Sequence, residues 1–236
     1  MSIPNSFENI THLMIIPDGF RRYAKASKIE YLSSYKKGAK LGLDFLDYFN
    51  TAPVNELTYF LVSNRTFSRN KSSLDSIFKA LNIFLDQLLC RITNREYNFK
   101  IKVLGDLKLV PKETGLLINK LESLNYNQKS KQFNLLISYS GTKNLCENLH
   151  IIKKISTPNI AIGESEEFNE NLKNEKMTTT KIELVIRSGQ YFRLSDAPIL
   201  ETINSNFILI NKFLPELKVE DFEREITDYL KWKNSK

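Results

Sequence analysis

Short runs of apolar residues alternate along the chain with longer segments in which apolar positions recur every three or four residues. The short runs predict six strands, at 12–16, 57–62, 99–104, 133–138, 182–186 and 207–210. Most of these runs are nearly continuous in apolar residues, which is typical of strands covered on both faces. The periodic segments predict helices at 31–49, 74–92, 115–123, 142–154 and 219–231.

This alternation predicts an α/β fold, a single domain over residues 1–236 with a mainly parallel six-stranded sheet flanked by helices. The segment 158–180 is polar and acidic at its centre, and we interpret it as a surface connection. No apolar run approaches the length of a transmembrane segment, and the N-terminus lacks the pattern of a signal peptide. We therefore expect a cytoplasmic protein.

Composition narrows the choice of partners. Lysine and arginine number 34 against 27 acidic residues, and the resulting net charge of +7 favours an anionic partner. The basic residues are spread out, with no aromatic and basic platform, so nucleic acid is not the expected partner. Cys90 and Cys146 have no metal-ligand spacing and are expected to be buried free thiols, and His12 and His150 belong to no metal-binding cluster.

Three polar motifs follow predicted strands. Asp18-Gly19-Phe20-Arg21-Arg22 follows the first strand, the segment 63–69 (SNRTFSR) follows the second, and the segment 187–195 (RSGQYFRLS) follows the fifth. Because ligands of open parallel sheets gather outside the carboxyl ends of the strands, the three motifs should converge on one pocket.

The residue types in these motifs are suited to binding a diphosphate. A helix that begins behind Asp18 would direct backbone N–H groups at a phosphate, and the forked guanidiniums of Arg22, Arg187 and Arg193 would bind its oxygens. Asp18 among these cations would stay ionised and could hold Mg²⁺. Taken singly, an Asp-Gly followed by arginines is more often a plain turn and helix start, and Arg187 to Arg193 could be a loop with surface charges.

At these same motifs the sequence resembles the cis-prenyltransferases, the undecaprenyl diphosphate synthase family. The segments that carry the resemblance are "IPDGFRRYAK", "SNRTFSR", "KVLGDLKLVP", "IRSGQYFRLS" and "PELKVEDFEREITDYL", and they occur in the family's order along most of the chain. The resemblance implies the cis-prenyltransferase fold, Mg²⁺ as cofactor, a homodimer, and an apolar tunnel between the sheet and the helices at 31–49 and 74–92. It implies isoprenyl diphosphates as substrates: dimethylallyl and isopentenyl diphosphate, with geranyl or farnesyl diphosphate as further donors.

The resemblance also assigns roles to residues. Asp18 would be the metal and catalytic residue that assists loss of the allylic diphosphate, with Arg22 and Ser63 as further catalytic residues. The residues implied to bind the substrate diphosphates are Gly19, Phe20, Arg21, Arg22, Arg69, Arg187, Arg193 and Ser195.

Several positions depart from the family pattern. The loop asparagine is Phe20, the helix position that carries histidine is Tyr35, and the late metal-binding glutamate falls at Asn206. The Glu-Asn pair of the second motif is replaced by Arg65-Thr66. The loop and Tyr35 are more similar to the lavandulyl and cyclolavandulyl diphosphate synthase branch, whose bacterial members join two dimethylallyl diphosphates irregularly.

The expected activity is therefore prenyl transfer to a short and irregular product. Phe78 and Phe84 would restrict the tunnel if they face it, although the helix at 74–92 needs phenylalanine for its core in any case. Three alternatives remain open: regular cis elongation with isopentenyl diphosphate, a terpene synthase or cyclase on the same fold, and a non-catalytic partner subunit. Retention of Asp18 and Arg22 argues against the last.

Overall fold

A six-stranded sheet, parallel throughout, forms the centre of the molecule. The computed structural model describes residues 9–94, 97, 99–124, 131–147 and 180–236. The strands are β1 (Ile10–Ile16), β2 (Val54–Ser63), β3 (Phe99–Leu104), β4 (Lys131–Tyr139), β5 (Leu184–Ser188) and β6 (Asn206–Ile210). Their order in the sheet is β3-β4-β2-β1-β5-β6. The predicted α/β class is confirmed, and every described strand pair is parallel.

All six predicted strands are present, and the fifth is displaced along the sequence. It spans Leu184–Ser188 instead of 182–186, so Arg187 and Ser188 belong to the strand and do not follow it. The strand accommodates both polar residues because they bond to the loop that follows β1. There the Arg187 guanidinium and the Ser188 hydroxyl contact Asp18.

The described helices are α1 (Phe20–Ala26), α2 (Tyr31–Thr51), α3 (Lys71–Thr93), α4 (Lys112–Ser123), α5 (Gly141–Glu147) and α6 (Val219–Lys233). Short 3-10 helices occur at Asn64–Ser68, Leu107–Leu109 and Leu214–Glu216. The predicted helix at 142–154 is described only as far as 147; its remainder, His150 and nearly all of the segment 158–180 lie outside the described residues. Among the described residues, no helix is both long and apolar enough to cross a membrane.

Both faces of the sheet carry buried apolar side chains, as the continuous apolar runs predict. Helices α2 and α3 pack against the larger core, where Phe45, Phe49 and Leu85 are fully or almost fully buried. Met14, Leu136 and Val185 belong to the smaller core. Burial of this kind stabilises a fold by roughly 1.5–3 kcal/mol for each large apolar side chain.

A row of buried polar residues crosses the sheet near the start of its central strands. His12 Nε2 lies 2.7 Å from Thr58 Oγ1, and the Asn134 amide donates to the same hydroxyl at 3.0 Å and to Glu56 Oε1 at 2.6 Å. Burial lowers the pKa of His12, although the Glu56 carboxylate opposes the shift. His12 is thus a satisfied core residue.

The expectation of buried cysteines is wrong. Cys90 and Cys146 are both free and exposed. Cys90 follows Leu88 and Leu89 in α3, but it lies outside the apolar stripe that includes Leu88 and Ile92. Its side chain therefore faces solvent.

Candidate active site

The loop that follows β1 is held in a fixed conformation by backbone and side-chain contacts. The Asp18 N–H donates to Ser188 Oγ at 2.8 Å, and the Asp18 carbonyl accepts from the Ser188 hydroxyl at 3.1 Å and from the Leu214 N–H at 2.9 Å. Gly19 has φ +104°, and a Cβ there would lie 2.7 Å from Phe213 Cδ1. The loop therefore requires glycine at position 19, both for its backbone angle and for space.

Two guanidiniums bind the Asp18 carboxylate. Arg187 Nη2 lies 2.6 Å from Oδ2, Arg22 Nη2 lies 3.1 Å from the same oxygen, and the Gly19 N–H donates to Oδ1 at 2.6 Å. Burial alone would raise the pKa of Asp18, but the hydrogen bond and charge of Arg187 and the charge of Arg22 outweigh burial and hold it below its usual value. Asp18 is therefore ionised at neutral pH.

Arg187 connects this carboxylate to the loop that follows β5. Its side chain is only 3% exposed, and Nη1 donates to the Arg193 carbonyl and, at 2.8 Å, to Ser195 Oγ. Ser195 has φ +60°, an uncommon angle for a residue other than glycine. Arg187 thus holds Ser195 and the backbone of Arg193 beside Asp18.

A cavity of about 520 Å³ opens beside these residues at the carboxyl end of the sheet. Seven cationic side chains line it against two carboxylates, Asp18 and Asp196. The cations are Arg21, Arg22, Lys25, Arg65, Arg69, Arg187 and Arg193. The apolar part of the lining comes largely from α2, α3 and β2. The cavity therefore combines a strongly cationic region with an apolar one, which suits a ligand with an anionic head and an apolar tail.

Arg69 contributes a further cation to the cavity, from the loop that follows β2. Its Nη1 donates to Tyr35 Oη at 3.4 Å, and Ser63 Oγ lies 3.3 Å from Thr66 Oγ1 in the same loop. Burial and the neighbouring charge of Arg21 lower the pKa of Arg69, although a guanidinium remains charged at neutral pH. An anion bound here would relieve the repulsion between the two arginines.

Phe20 packs against α2 where the cationic and apolar regions meet. A Cβ on Gly38 would lie 2.2 Å from Phe20 Cε1, so the phenyl ring occupies the space that the glycine leaves. The ring centre is 5.0 Å from that of Tyr35, and the Phe20 carbonyl accepts from Ser34 Oγ at 2.7 Å. Phe20 therefore presents an apolar surface to the cavity, and only its backbone could contact a phosphate.

Deeper in the molecule, the cavity reaches Phe84 on α3, which packs beside Gly42 on α2. A Cβ on Gly42 would lie 3.2 Å from Phe84 Cε2 and 3.6 Å from Tyr59 Oη. Phe84 lines the cavity, in agreement with the prediction. Phe78 has the alternative, core role: it is buried beside Phe67, with 5.8 Å between the ring centres, and it does not line the cavity.

Every predicted site residue lines this one cavity. These residues are Asp18, Gly19, Phe20, Arg21, Arg22, Ser63, Arg69, Arg187, Arg193 and Ser195. Asn206 does not: it pairs with Leu184 at the start of β5, the opposite end of the strand from the cavity, and its amide donates to Tyr229 Oη at 3.1 Å. In this chain Asn206 has a structural role on β6.

The donor set around Asp18 is consistent with a metal ion shared with the substrate. Among the residues that the structure describes, no group of three or more His, Cys, Asp or Glu side chains could enclose a metal ion. Mg²⁺ is commonly bound through one or two carboxylates together with substrate phosphates. Asp18, with 29% of its side chain exposed, fits that arrangement when phosphate oxygens supply the other ligands.

Tyr191 is a site residue that sequence reasoning missed. The guanidinium carbons of Arg22 and Arg193 lie 4.4 Å and 4.5 Å from the centre of its ring. Such cation–π contacts reduce the cost of placing two guanidiniums close together. The position of an aromatic residue between two arginines in "RSGQYFR" was the available signal.

We expect Tyr191→Ala to raise KM for diphosphate substrates by about 10-fold with a smaller change in kcat, because two cation–π contacts that position arginines are lost. Tyr191→Phe keeps the ring and should behave like the unaltered chain. Steady-state kinetics of both variants checks this, with Phe192→Ala as control because Phe192 does not line the cavity. Equal effects of Ala and Phe at position 191 would assign the role to the hydroxyl.

The parallel sheet defines an α/β protein, and the lining of its cavity suits a ligand with an anionic head group next to an apolar tail. The sequence model of the undecaprenyl diphosphate synthase family matches residues 16–235, and the chain belongs to that family. It is a prenyltransferase.

Individual relatives are similar over nearly the whole chain. A tritrans,polycis-undecaprenyl-diphosphate synthase (geranylgeranyl-diphosphate specific) of Pyrobaculum aerophilum is 28% identical over 93% of this chain and 92% of its own. A ditrans,polycis-undecaprenyl-diphosphate synthase ((2E,6E)-farnesyl-diphosphate specific) of Buchnera aphidicola is 27% identical over 94% and 88%. The crystal structure of lavandulyl diphosphate synthase from Lavandula x intermedia in complex with dimethylallyl diphosphate has a TM-score of 0.81 and 21% identity, covering 93% of this chain and 94% of that one. This last likeness shows a shared fold.

Proposed function

We propose that the chain condenses two molecules of dimethylallyl diphosphate in an irregular, lavandulyl-type reaction that gives a short branched diphosphate. The observation that carries this proposal is Phe20. In place of the family's loop asparagine, its ring packs on Gly38 and beside Tyr35 at the boundary of the cationic region. An apolar side chain here cannot hydrogen-bond the substrate or take its proton, which disfavours regular elongation.

The charged residues divide between two diphosphates. Asp18 and Arg22 would face the diphosphate of the donor, and Arg69, Arg193 and Ser195 that of the acceptor. Arg187 lies between the two groups because it bonds to both Asp18 and Ser195. Asp18 is the described carboxylate that would hold Mg²⁺, which when bound neutralises charge on the departing diphosphate.

The reaction balances without a further reactant. The allylic C–O bond of the donor breaks, and its electron pair leaves with the diphosphate. The double bond of the acceptor attacks the allylic cation from C2, which forms the new C–C bond and a tertiary cation at C3. A methyl group of that cation loses a proton to the departed diphosphate, and the product keeps the diphosphate of the acceptor. The apolar lining from α2 and α3 excludes water from the cation.

The test is to incubate the purified chain with Mg²⁺ and dimethylallyl diphosphate alone, and in parallel with isopentenyl, geranyl or farnesyl diphosphate added. We expect a branched C10 diphosphate from dimethylallyl diphosphate alone, identified by mass spectrometry after phosphatase treatment. Phe20→Asn should reduce that product relative to regular products. Phe192→Asn is the matched control, since it makes the same change outside the cavity lining.

Other results would support a different activity. Products that form only with isopentenyl diphosphate would overturn the irregular reaction in favour of regular elongation. A hydrocarbon or alcohol that forms without phosphatase would indicate a terpene synthase on the same fold.

A further inference from the structure

Tyr59 places a hydroxyl group in the apolar part of the cavity. Its side chain extends from β2, in the middle of the sheet, and its Oη would be 3.6 Å from a Cβ on Gly42. The residue is 3% exposed, yet it lines the cavity together with Phe84 and other apolar residues of α3.

Within the described part of the chain, the Tyr59 hydroxyl has no hydrogen-bond partner, unlike the hydroxyl of Tyr35, which accepts from Arg69. Burial raises the pKa of Tyr59, so the phenol is neutral and is available as a donor. While the cavity holds water, that water can satisfy the hydroxyl. A hydrocarbon tail that reaches Tyr59 displaces the water and offers no acceptor in return.

We propose that the Tyr59 hydroxyl is a specificity-determining group that selects short prenyl donors by penalising tails long enough to cover it. This inference rests on the prenyl-transfer function proposed above. It adds a polar limit on the length of the prenyl tail to the steric limit set by Phe84. A donor whose tail ends short of Tyr59 leaves the hydroxyl hydrated. A longer tail loses affinity by about 5-fold to 100-fold, the usual cost of burying an unpaired hydroxyl group.

Removing one oxygen atom separates the polar effect from the steric effect. Tyr59→Phe keeps the ring, and because the lost hydroxyl has no protein partner among the described residues, the variant should unfold at the same or a higher temperature. Phe84→Leu changes the steric limit but not the hydroxyl. Tyr48→Phe is the matched control: its hydroxyl is also buried without a hydrogen-bond partner in the described residues, but Tyr48 does not line the cavity.

The experiment measures binding of unreactive dimethylallyl, geranyl and farnesyl thiolodiphosphates by calorimetry in the presence of Mg²⁺. We expect Tyr59→Phe to raise the affinity for the longest analogue by about 5-fold or more and to leave the dimethylallyl affinity within 2-fold. Tyr48→Phe should change neither. An unchanged ratio of affinities in Tyr59→Phe, or weaker binding of the long analogues, would overturn the proposal.

This readout is independent of the reaction that follows binding. Failure of the irregular reaction would show as an absence of C10 product in the assay with dimethylallyl diphosphate alone. Failure of the Tyr59 inference would show in the binding affinities of the Tyr59→Phe variant, as an unaltered ratio between short and long analogues or as weaker binding of the long ones.

Discussion

Asp18→Asn is expected to lower kcat for prenyl transfer by about 10³-fold, because the neutral amide keeps the shape of the carboxylate but removes its charge beside Arg187 and Arg22. In the function proposed above, the charge would both hold Mg²⁺ and orient the two guanidiniums. Single-turnover kinetics with dimethylallyl diphosphate measures the effect. Asp228→Asn, an exposed aspartate on α6, is the matched control and should retain full activity.

Stability against pH gives a second readout of the same variant. The pKa of Asp18 in the folded state lies below its usual value of about 4, so its ion pairs contribute fully above that pH. Their contribution is lost as the pH falls through the lower, folded-state pKa. The difference in unfolding free energy between the unaltered chain and Asp18→Asn should therefore shrink below about pH 4. A difference independent of pH would show that folding does not lower the pKa of Asp18.

Arg187→Met is expected to reduce kcat/KM by about 10²–10³-fold and to destabilise the fold by roughly 3 kcal/mol. Its guanidinium is almost fully buried and donates to the Asp18 carboxylate, the Arg193 carbonyl and the Ser195 hydroxyl. Removing it leaves the Arg193 and Ser195 acceptors without that donor. Kinetics and urea unfolding measure the two losses, and Arg224→Met, at an exposed ion pair on α6, should cost less than about 1 kcal/mol.

The double variant Asp18→Asn with Arg187→Met tests whether the two residues act as a pair. We expect its loss of stability to be smaller than the sum of the single losses by about 1–3 kcal/mol, since each single variant already breaks the shared bond. Additive losses would show that the two side chains contribute independently.

The strands, and the convergence of the site residues on one cavity, were predictable because they depend on local patterns. Continuous apolar runs identified all six strands, and parallel order brings their carboxyl ends together, which places Asp18, Ser63 and Arg193 on one cavity. The exact limits of β5 were not predictable. Arg187 and Ser188 are polar, and their place in the strand depends on contacts with the loop after β1.

Other features depend on long-range packing that no local pattern encodes. The apolar stripe of α3 predicts two inward phenylalanines, yet only Phe84 reaches the cavity because Phe78 is covered by Phe67. Tyr191 and Tyr59 were missed for related reasons. The first acts through Arg22 of α1 and Arg193 of the loop after β5, and the second lies in an apolar run where an aromatic residue indicates a core position.

The buried row of His12, Thr58 and Asn134 also affects how accurately residues of the distant cavity are positioned. A strand that is apolar on both faces could slide past its neighbour with little loss of burial, since a slipped strand still presents apolar side chains to each core. The polar row forbids this, because a slip of one residue would turn three buried polar groups away from their partners. Asp18 lies six residues after His12, just beyond the end of β1. The alignment of His12 with its partners therefore also fixes the position of the Asp18 carboxylate. A misaligned strand would therefore be destabilised by unpaired polar groups at the amino end of the sheet, so that folded molecules keep the site residues in position at the carboxyl end.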